Sequence, residues 1–297
     1  MLILLLACAG NLSNDPFTED AVFLSALPPA GLLQLEYPSD LESADAELLG
    51  VALSQLDAAR ALTSNFASVT EVIQAVSPSE RGQHHRVWGP GAWDAVPGAF
   101  LRVEMTRTSD GATYLTTFQT AATSDGPWQE FFEGDATLDP DVPLGQQGPV
   151  SGTLRWDASA LDQVVPDHGT ESVRFDYQAE PDGPLSLQII APLDLSFKQQ
   201  PDDSGNVWLS TRLDIAGEGS PKTGPIPEDI ELELAWGPNG AGRGRLQAEG
   251  GDLPWATATI EECWQDGGER VWVWADPVDL GNEEGESALC TIQAFEG

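Results

Sequence analysis

The sequence is poor in basic residues. Only 13 of its 297 residues are Lys or Arg, against 48 Asp or Glu, and the formal net charge is −35. A surface this acidic repels nucleic acid and anionic membranes at long range, so no nucleic-acid partner is expected. The same charge favours solubility, with the binding of cations or basic proteins as the alternative.

Histidine and the common catalytic motifs are also scarce. His84 and His85 are adjacent and would point to opposite faces of a strand, and His168 stands alone in a loop. No cluster has the spacing of a metal site, and no nucleophile elbow or Gly-rich phosphate loop is present. Residues 202–206 lack the spacing and terminal Glu of a calcium loop. The sequence predicts no catalytic residue, no metal ligand and no cofactor.

Long hydrophobic runs are absent as well. The apolar run 2–7 is far shorter than the roughly 20 residues that span a bilayer. It ends in Leu5-Leu6-Ala7-Cys8, which resembles the lipobox of bacterial lipoprotein signal peptides. The resemblance implies that residues 1–8 are the signal, that Cys8 is lipidated and that residues 9–20 form a flexible tether to the membrane. No Lys or Arg precedes Cys8, so a buried N-terminal strand is the alternative.

Cysteine is limited to three residues, an odd number for an exported chain. If Cys8 carries a lipid, Cys263 and Cys290 remain as one pair. In an oxidising compartment we expect a disulfide between them. Two reduced, buried cysteines in a cytosolic protein are the alternative.

What the sequence does contain is a helical segment followed by many strand patterns. Ser39 and Glu42 form a capping box, and apolar residues recur at helical spacing as far as Leu62 and again from Val69 to Val76. From His84 onward the apolar period is two. Beyond a hairpin over 101–120, strands are predicted at 128–137, 150–156, 173–179, 185–190, 207–215, 230–236, 243–249, 257–264, 271–274 and 289–295, with a short helix at 157–165.

These patterns define the fold class. They predict a mainly β protein built on a large antiparallel curved sheet, an open barrel or a sandwich, with an N-terminal helical segment packed against it. A single β-rich domain over 21–297, with helices near 39–77, is preferred. Two subdomains meeting near 140–150 are the alternative.

Ten tryptophans mark the strands. Trp272 and Trp274 are predicted on one strand face, with Trp264 on a neighbouring strand. Large rings on a curved sheet can line a pocket for an acyl chain or a sugar. Tryptophan is more often part of a core, so these three residues are candidate apolar ligand-facing residues with core packing as the alternative.

Two family resemblances bear on function. The lipobox-like 5–8, the strand Leu-Arg-Val-Glu-Met-Thr-Arg at 101–107 and Glu262-Cys263-Trp264 resemble uncharacterised acidic lipoproteins of Gram-negative bacteria. That resemblance implies a cell-envelope location, in the outer membrane or periplasm, and no activity. The order of elements is similar to that of the periplasmic lipoprotein carriers and their outer-membrane receptors, which implies an open barrel around an acyl cavity.

Three functions follow as hypotheses. The leading one is a lipid-anchored envelope lipoprotein that acts as a non-enzymatic binding or structural module. The second is a carrier of lipid or lipoprotein acyl chains, which needs a hydrophobic ligand in a curved β cavity. The third is a carboxylate-dependent hydrolase, which needs two acidic residues facing each other across a cleft at roughly 5–9.5 Å.

Overall fold

The computed structural model describes residues 15–28, 35, 46–94, 96–139, 141–142, 148–166, 172–190, 194–213, 226–276 and 283–293. Cys8, His168 and the Ser39–Glu42 capping box lie outside these ranges, so the predictions made for them stay predictions. The described helices are α1 (Asp15–Ser25), α2 (Glu47–Gln74) and α3 (Ala158–Asp162).

Fifteen strands form one open sheet in which the strand order follows the chain order, so the whole sheet is a meander. Every neighbouring pair is antiparallel. The predicted fold class, a large antiparallel sheet with an N-terminal helical segment, is confirmed. The strands are β1 (Glu80–Arg81), β2 (His85–Ala92), β3 (Phe100–Arg107), β4 (Thr113–Ala121), β5 (Gln129–Leu138), β6 (Val150–Asp157), β7 (Ser172–Ala179), β8 (Leu185–Ile190), β9 (Asp194–Gln199), β10 (Gly205–Leu213), β11 (Glu228–Trp236), β12 (Gly242–Glu249), β13 (Thr257–Trp264), β14 (Arg270–Asp276) and β15 (Glu284–Gly285).

Three local predictions differ from the structure. The two helical stretches predicted before residue 78 are one continuous helix, α2, because nothing between them breaks the backbone. The strand predicted at 289–295 is wrong at its start, where Ser287–Leu289 is a 3₁₀ turn, and the last described strand is the earlier β15. Helix α1 begins at Asp15, inside the segment 9–20 that the sequence predicts to be a tether.

Helix α2 packs across the inner face of the sheet. Near its C-terminal end, the ring of Phe66 stacks on Phe132 of β5 at 4.5 Å and meets Phe118 of β4 edge-on at 5.6 Å. Near its N-terminal end, Leu48 lies beside Gly244 of β12. A helix of 28 residues is about 42 Å long, so α2 links the two halves of the sheet.

The middle strands show that the sheet is curved. Their inner side chains are buried, with exposures of 3% or less for Leu154, Phe175, Leu187, Leu195 and Val207. Fifteen strands laid flat would be about 67 Å wide at the usual strand spacing. Because the three described α-helices cannot cover a flat surface of that width, the sheet curls so that its inner face is buried around α2.

The N-terminus of α2 is held by a carboxylate from the sheet. The N-cap residue Ala46 offers no side-chain cap. Instead, Oε1 of Glu262 on β13 accepts a hydrogen bond from the backbone N–H of Leu49 at 3.0 Å, and Glu262 is 1% exposed. The first N–H groups of a helix lack intrahelical partners and carry partial positive charge, so a buried carboxylate is stabilised there.

Helix α1 is fixed by a buried ion-pair network. Asp20 receives a hydrogen bond from Arg86 of β2 at 2.6 Å and pairs with Arg81 of β1 at 2.9 Å. The guanidinium of Arg86 also lies 4.7 Å above the ring of Phe23, and Arg86 is 3% exposed. A buried arginine is tolerated because it is paired in this way, so α1 belongs to the folded body.

Glycine and tryptophan face each other across neighbouring strands. Gly242 of β12 pairs in register with Trp264 of β13, and Gly205 of β10 pairs with Trp236 of β11. A Cβ added to Gly242 would lie 2.3 Å from the indole of Trp264, and one on Gly205 would lie 2.5 Å from Trp236. Each glycine therefore leaves the space that a large ring fills, and the ring shields the bare backbone of the glycine.

We predict that Gly242→Ala lowers the free energy of unfolding by about 1–3 kcal/mol, because the new methyl group displaces a tightly packed ring. Gly244→Ala is the matched control on the same strand and face, since its Cβ would meet its nearest neighbours at 3.4 and 3.5 Å. Urea denaturation followed by tryptophan fluorescence measures both. Equal stability of the two variants would contradict the packing role of Gly242.

Candidate functional site

The three tryptophans predicted to face a ligand do not share one face of the sheet. Trp264 points to the inner face, is 1% exposed and donates its indole N–H to the carbonyl of Gly240 at 2.9 Å. Trp272 pairs in register with Cys263, and Trp274 pairs with Glu261. Cys263 and Glu261 lie on the outer face of β13, so both tryptophans point outward. Trp264 is therefore a core residue in this structure.

Trp272 is held by its neighbours on the outer face. Its indole N–H donates to Oε1 of Glu283 at 2.8 Å, and the guanidinium of Arg243 lies 5.0 Å from its ring. Its exposure is 7%. Trp274, which is half-buried, is the member of the predicted set with the most surface available to a ligand.

Cys263 and Cys290 form the disulfide expected from the sequence, with Cα atoms 5.7 Å apart. Cys263 lies on β13, whereas Cys290 follows the 3₁₀ turn after β15. The bond therefore fastens the last described segment, which follows β14, back onto the outer face beside Trp272.

We predict that Cys290→Ser lowers the free energy of unfolding by about 3.5 kcal/mol. The disulfide closes a loop between residues 27 positions apart, and a cross-link of that length removes conformational entropy from the unfolded chain. Urea denaturation of the oxidised protein and the variant measures the difference, with Cys8→Ser as the control that keeps the disulfide. Coincident denaturation curves for the wild type and Cys290→Ser would contradict the bond.

One groove lies at the rim of the sheet, where strands β5 to β8 begin or end. This rim groove has a volume of about 580 Å³, within the range of small-molecule sites. Its apolar lining includes Phe131, Trp156, Val173 and Ile190. Ile190 is 37% exposed and Trp156 is half-buried, whereas Phe131 and Val173 are buried. The uncovered apolar surface of the groove therefore comes from Ile190 and Trp156.

A β-bulge supplies part of this lining. Phe118 of β4 pairs with Phe132, but the next residue, Gln119, pairs with Glu130, so Phe131 is the extra residue of β5. The bulge allows Phe131 and Phe132 to be buried side by side, at 1% and 2% exposure. Phe131 then meets Trp156 edge-on at 5.5 Å.

Two arginines stand at the boundary between the rim groove and the outer face. Arg155 of β6 pairs in register with Arg174 of β7, so their side chains lie next to each other. Arg155 lies 3.4 Å from Glu133, and Arg174 donates two hydrogen bonds of 2.9 Å to Asp176. Both arginines also line a second, smaller hollow of about 440 Å³ on the outer face.

Glu130 is a carboxylate of the rim groove with a raised pKa. Burial raises the pKa of Glu130 above that of an ordinary glutamate, and the negative charges of Glu133 and Glu104 raise it further. Glu130 therefore keeps its proton to a higher pH than a solvated glutamate. Asp157, also in this groove, caps α3 by accepting from the backbone N–H groups of Ser159 and Ala160.

A larger hollow of about 880 Å³ lies further along the same edge, at β9 to β13. It contains one arginine, Arg212, which pairs with Asp229 at 2.8 Å, and three more acidic residues. Those are Asp194, Glu231 and Glu249. Its lining is polar and acidic, in contrast to the aromatic lining of the rim groove.

His84 and His85, the two histidines within the described residues, do not line any of the three hollows above. Nε2 of His85 lies 4.0 Å from a carboxylate oxygen of Glu104, and His84 is exposed. Across the described ranges, no group of three or more His, Cys, Asp or Glu residues could hold a metal ion. No described helix is both long enough and apolar enough to cross a bilayer.

Sequence reasoning did not single out the rim groove. Arg155 and Arg174 both lie on strands that the sequence predicts, but their adjacency depends on the register between β6 and β7.

Comparisons with protein-family models, curated proteins and solved structures found no match. Function is therefore argued from the geometry above.

Proposed function

We propose that the chain is an envelope lipoprotein, anchored through Cys8, whose sheet serves as a non-enzymatic binding or structural module. The observation that carries the proposal is the disulfide between Cys263 and Cys290. Stable disulfides are typical of exported proteins and rare in the cytosol. The bond uses two of the three cysteines and leaves Cys8, the lipobox-like residue, as the third.

The grooves along the sheet edge support a binding role. The rim groove combines an aromatic lining with the guanidinium groups of Arg155 and Arg174, and ligand sites are commonly apolar hollows with a few well-placed polar groups. Phe132, which lines the rim groove, also packs on Phe66 of α2, so this groove opens at the strand ends beside the helix.

The carrier hypothesis receives less support from the geometry. An acyl chain on the inner face would occupy the region where α2 packs, with Phe66 at 1% and Ile73 at 2% exposure. Loading would require α2 to leave the sheet, which would expose this apolar face to water and cost several kcal/mol.

A carboxylate-dependent hydrolase is the second candidate, and the raised pKa of Glu130 is the observation that favours it. A general acid needs such a raised pKa. Glu133, the other glutamate of this groove, is on the same strand and pairs with Arg155, so it does not face Glu130 from an opposite wall. The binding module is therefore preferred.

We predict that the full chain, expressed in a Gram-negative host with radiolabelled palmitate, takes up the label and that Cys8→Ala abolishes it. Only a lipidated Cys8 gives this result. The double variant Cys263→Ser/Cys290→Ser is the control, because it lacks the disulfide but keeps the acceptor. Labelling that persists in Cys8→Ala, or an unlabelled wild-type chain, would overturn the anchor.

A further inference from the structure

We propose that the rim groove binds a small amphiphilic anion, with its carboxylate or phosphate group on Arg155 and Arg174 and its apolar part on Ile190. The inference deepens the binding role proposed above and rests on it, but not on the lipid anchor. It is carried by the placement of two arginines beside uncovered apolar surface.

The register of the two arginines is the first argument. Like charges directly opposite each other on neighbouring strands are destabilising. Arg155 and Arg174 are opposite each other although the chain has 48 acidic residues and only 13 basic ones. Pairing each arginine with its own carboxylate would not require them to be neighbours, whereas joint recognition of one anion does.

The second argument concerns the N–H donors of Arg155 and Arg174 that remain available to a ligand. Arg155 uses Nη1 toward Glu133, and Arg174 uses Nε and Nη2 toward Asp176. Within the described part of the chain, Nε and Nη2 of Arg155 and Nη1 of Arg174 have no protein acceptor. The two side chains are 61% and 44% exposed, so a ligand can reach them. Guanidinium groups bind carboxylate and phosphate oxygens in a fork geometry.

The third argument is the apolar surface next to these donors. Ile190, which is 37% exposed, pairs in register with Arg174 and therefore lies on the same outer face as both arginines, whereas half-buried Trp156 lines the inner side of the same groove. A purely ionic ligand gains little here, since the net charge of −35 repels anions. Burial of an alkyl or aromatic group supplies the missing attraction, at about 0.8 kcal/mol per methylene. The ligand is therefore an amphiphile, and its affinity grows with chain length.

The test is isothermal titration of the full-length protein with hexyl phosphate and with hexanoate, which separate phosphate from carboxylate recognition. Inorganic phosphate lacks the apolar part, and hexanol lacks the charge. We expect saturable binding of at least one anionic amphiphile, at least tenfold tighter than that of inorganic phosphate or hexanol. Binding of neither amphiphile, or equal binding of hexanol, would overturn the proposal.

Variants locate the site. Arg155→Gln/Arg174→Gln should weaken binding of the amphiphile at least tenfold, and Ile190→Ser should weaken its dependence on chain length. Arg212→Gln is the matched control, because Arg212 is a similarly exposed, ion-paired arginine in the acidic hollow. The affinity of the Arg212→Gln variant for the amphiphile should stay within twofold of that of the wild type. Unchanged affinity in a folded double variant would contradict the assignment, whatever the result of palmitate labelling.

Discussion

The packing of α2 on the inner face of the sheet is the contact on which the rest of the structure depends. The described part of the chain forms one open sheet of fifteen strands with one apolar face to bury, and it contains no second sheet to bury that face against. The aromatic contacts of Phe66 with β4 and β5 hold one end of the helix. The carboxylate of Glu262 holds the other end, at β13. Because the helix touches strands that are far apart in sequence, it fixes the curvature of the whole sheet.

The part of the inner face that α2 covers is not available to a ligand. The described grooves lie at the strand ends and on the outer face. At the sheet edge the alternation of inward and outward side chains breaks down, and the bulge at Phe131 brings an aromatic lining next to charged outer residues. The rim groove therefore owes part of its lining to one of the three described register shifts in the sheet.

Part of the fold could be predicted from the sequence, because the patterns that indicate strands and turns are local. The period of two and the Gly, Pro and Asn turns predicted most strands, and the cysteine count predicted the disulfide. β9 was missed, although it has the same six-residue length as β8, because only three residues separate the two strands. The break in α2 was predicted wrongly because helical patterning fades there without any residue that ends a helix. The partner of the helix N-terminus, Glu262, lies 213 residues away from Leu49, and no local pattern reveals it.

The candidate site was less predictable than the fold, because it depends on register. Trp264 and Trp272 look alike in sequence, yet one packs on Gly242 in the core and the other lies outside beneath Arg243. Arg155 and Arg174 become neighbours only when β6 and β7 pair with one particular offset. Single-residue shifts in strand pairing move every side chain to the other face, so such sites emerge only with the structure.

The central claim is that α2 is a permanent part of the core and not a cover that moves aside for a ligand. Native-state hydrogen exchange measures this directly. The account predicts that amides in the middle of α2, around Leu56 to Phe66, exchange only with global unfolding, as slowly as those of β11 and β12. Exchange of these α2 amides through a local opening that leaves the strands protected would contradict it and would favour a carrier with a displaceable helix.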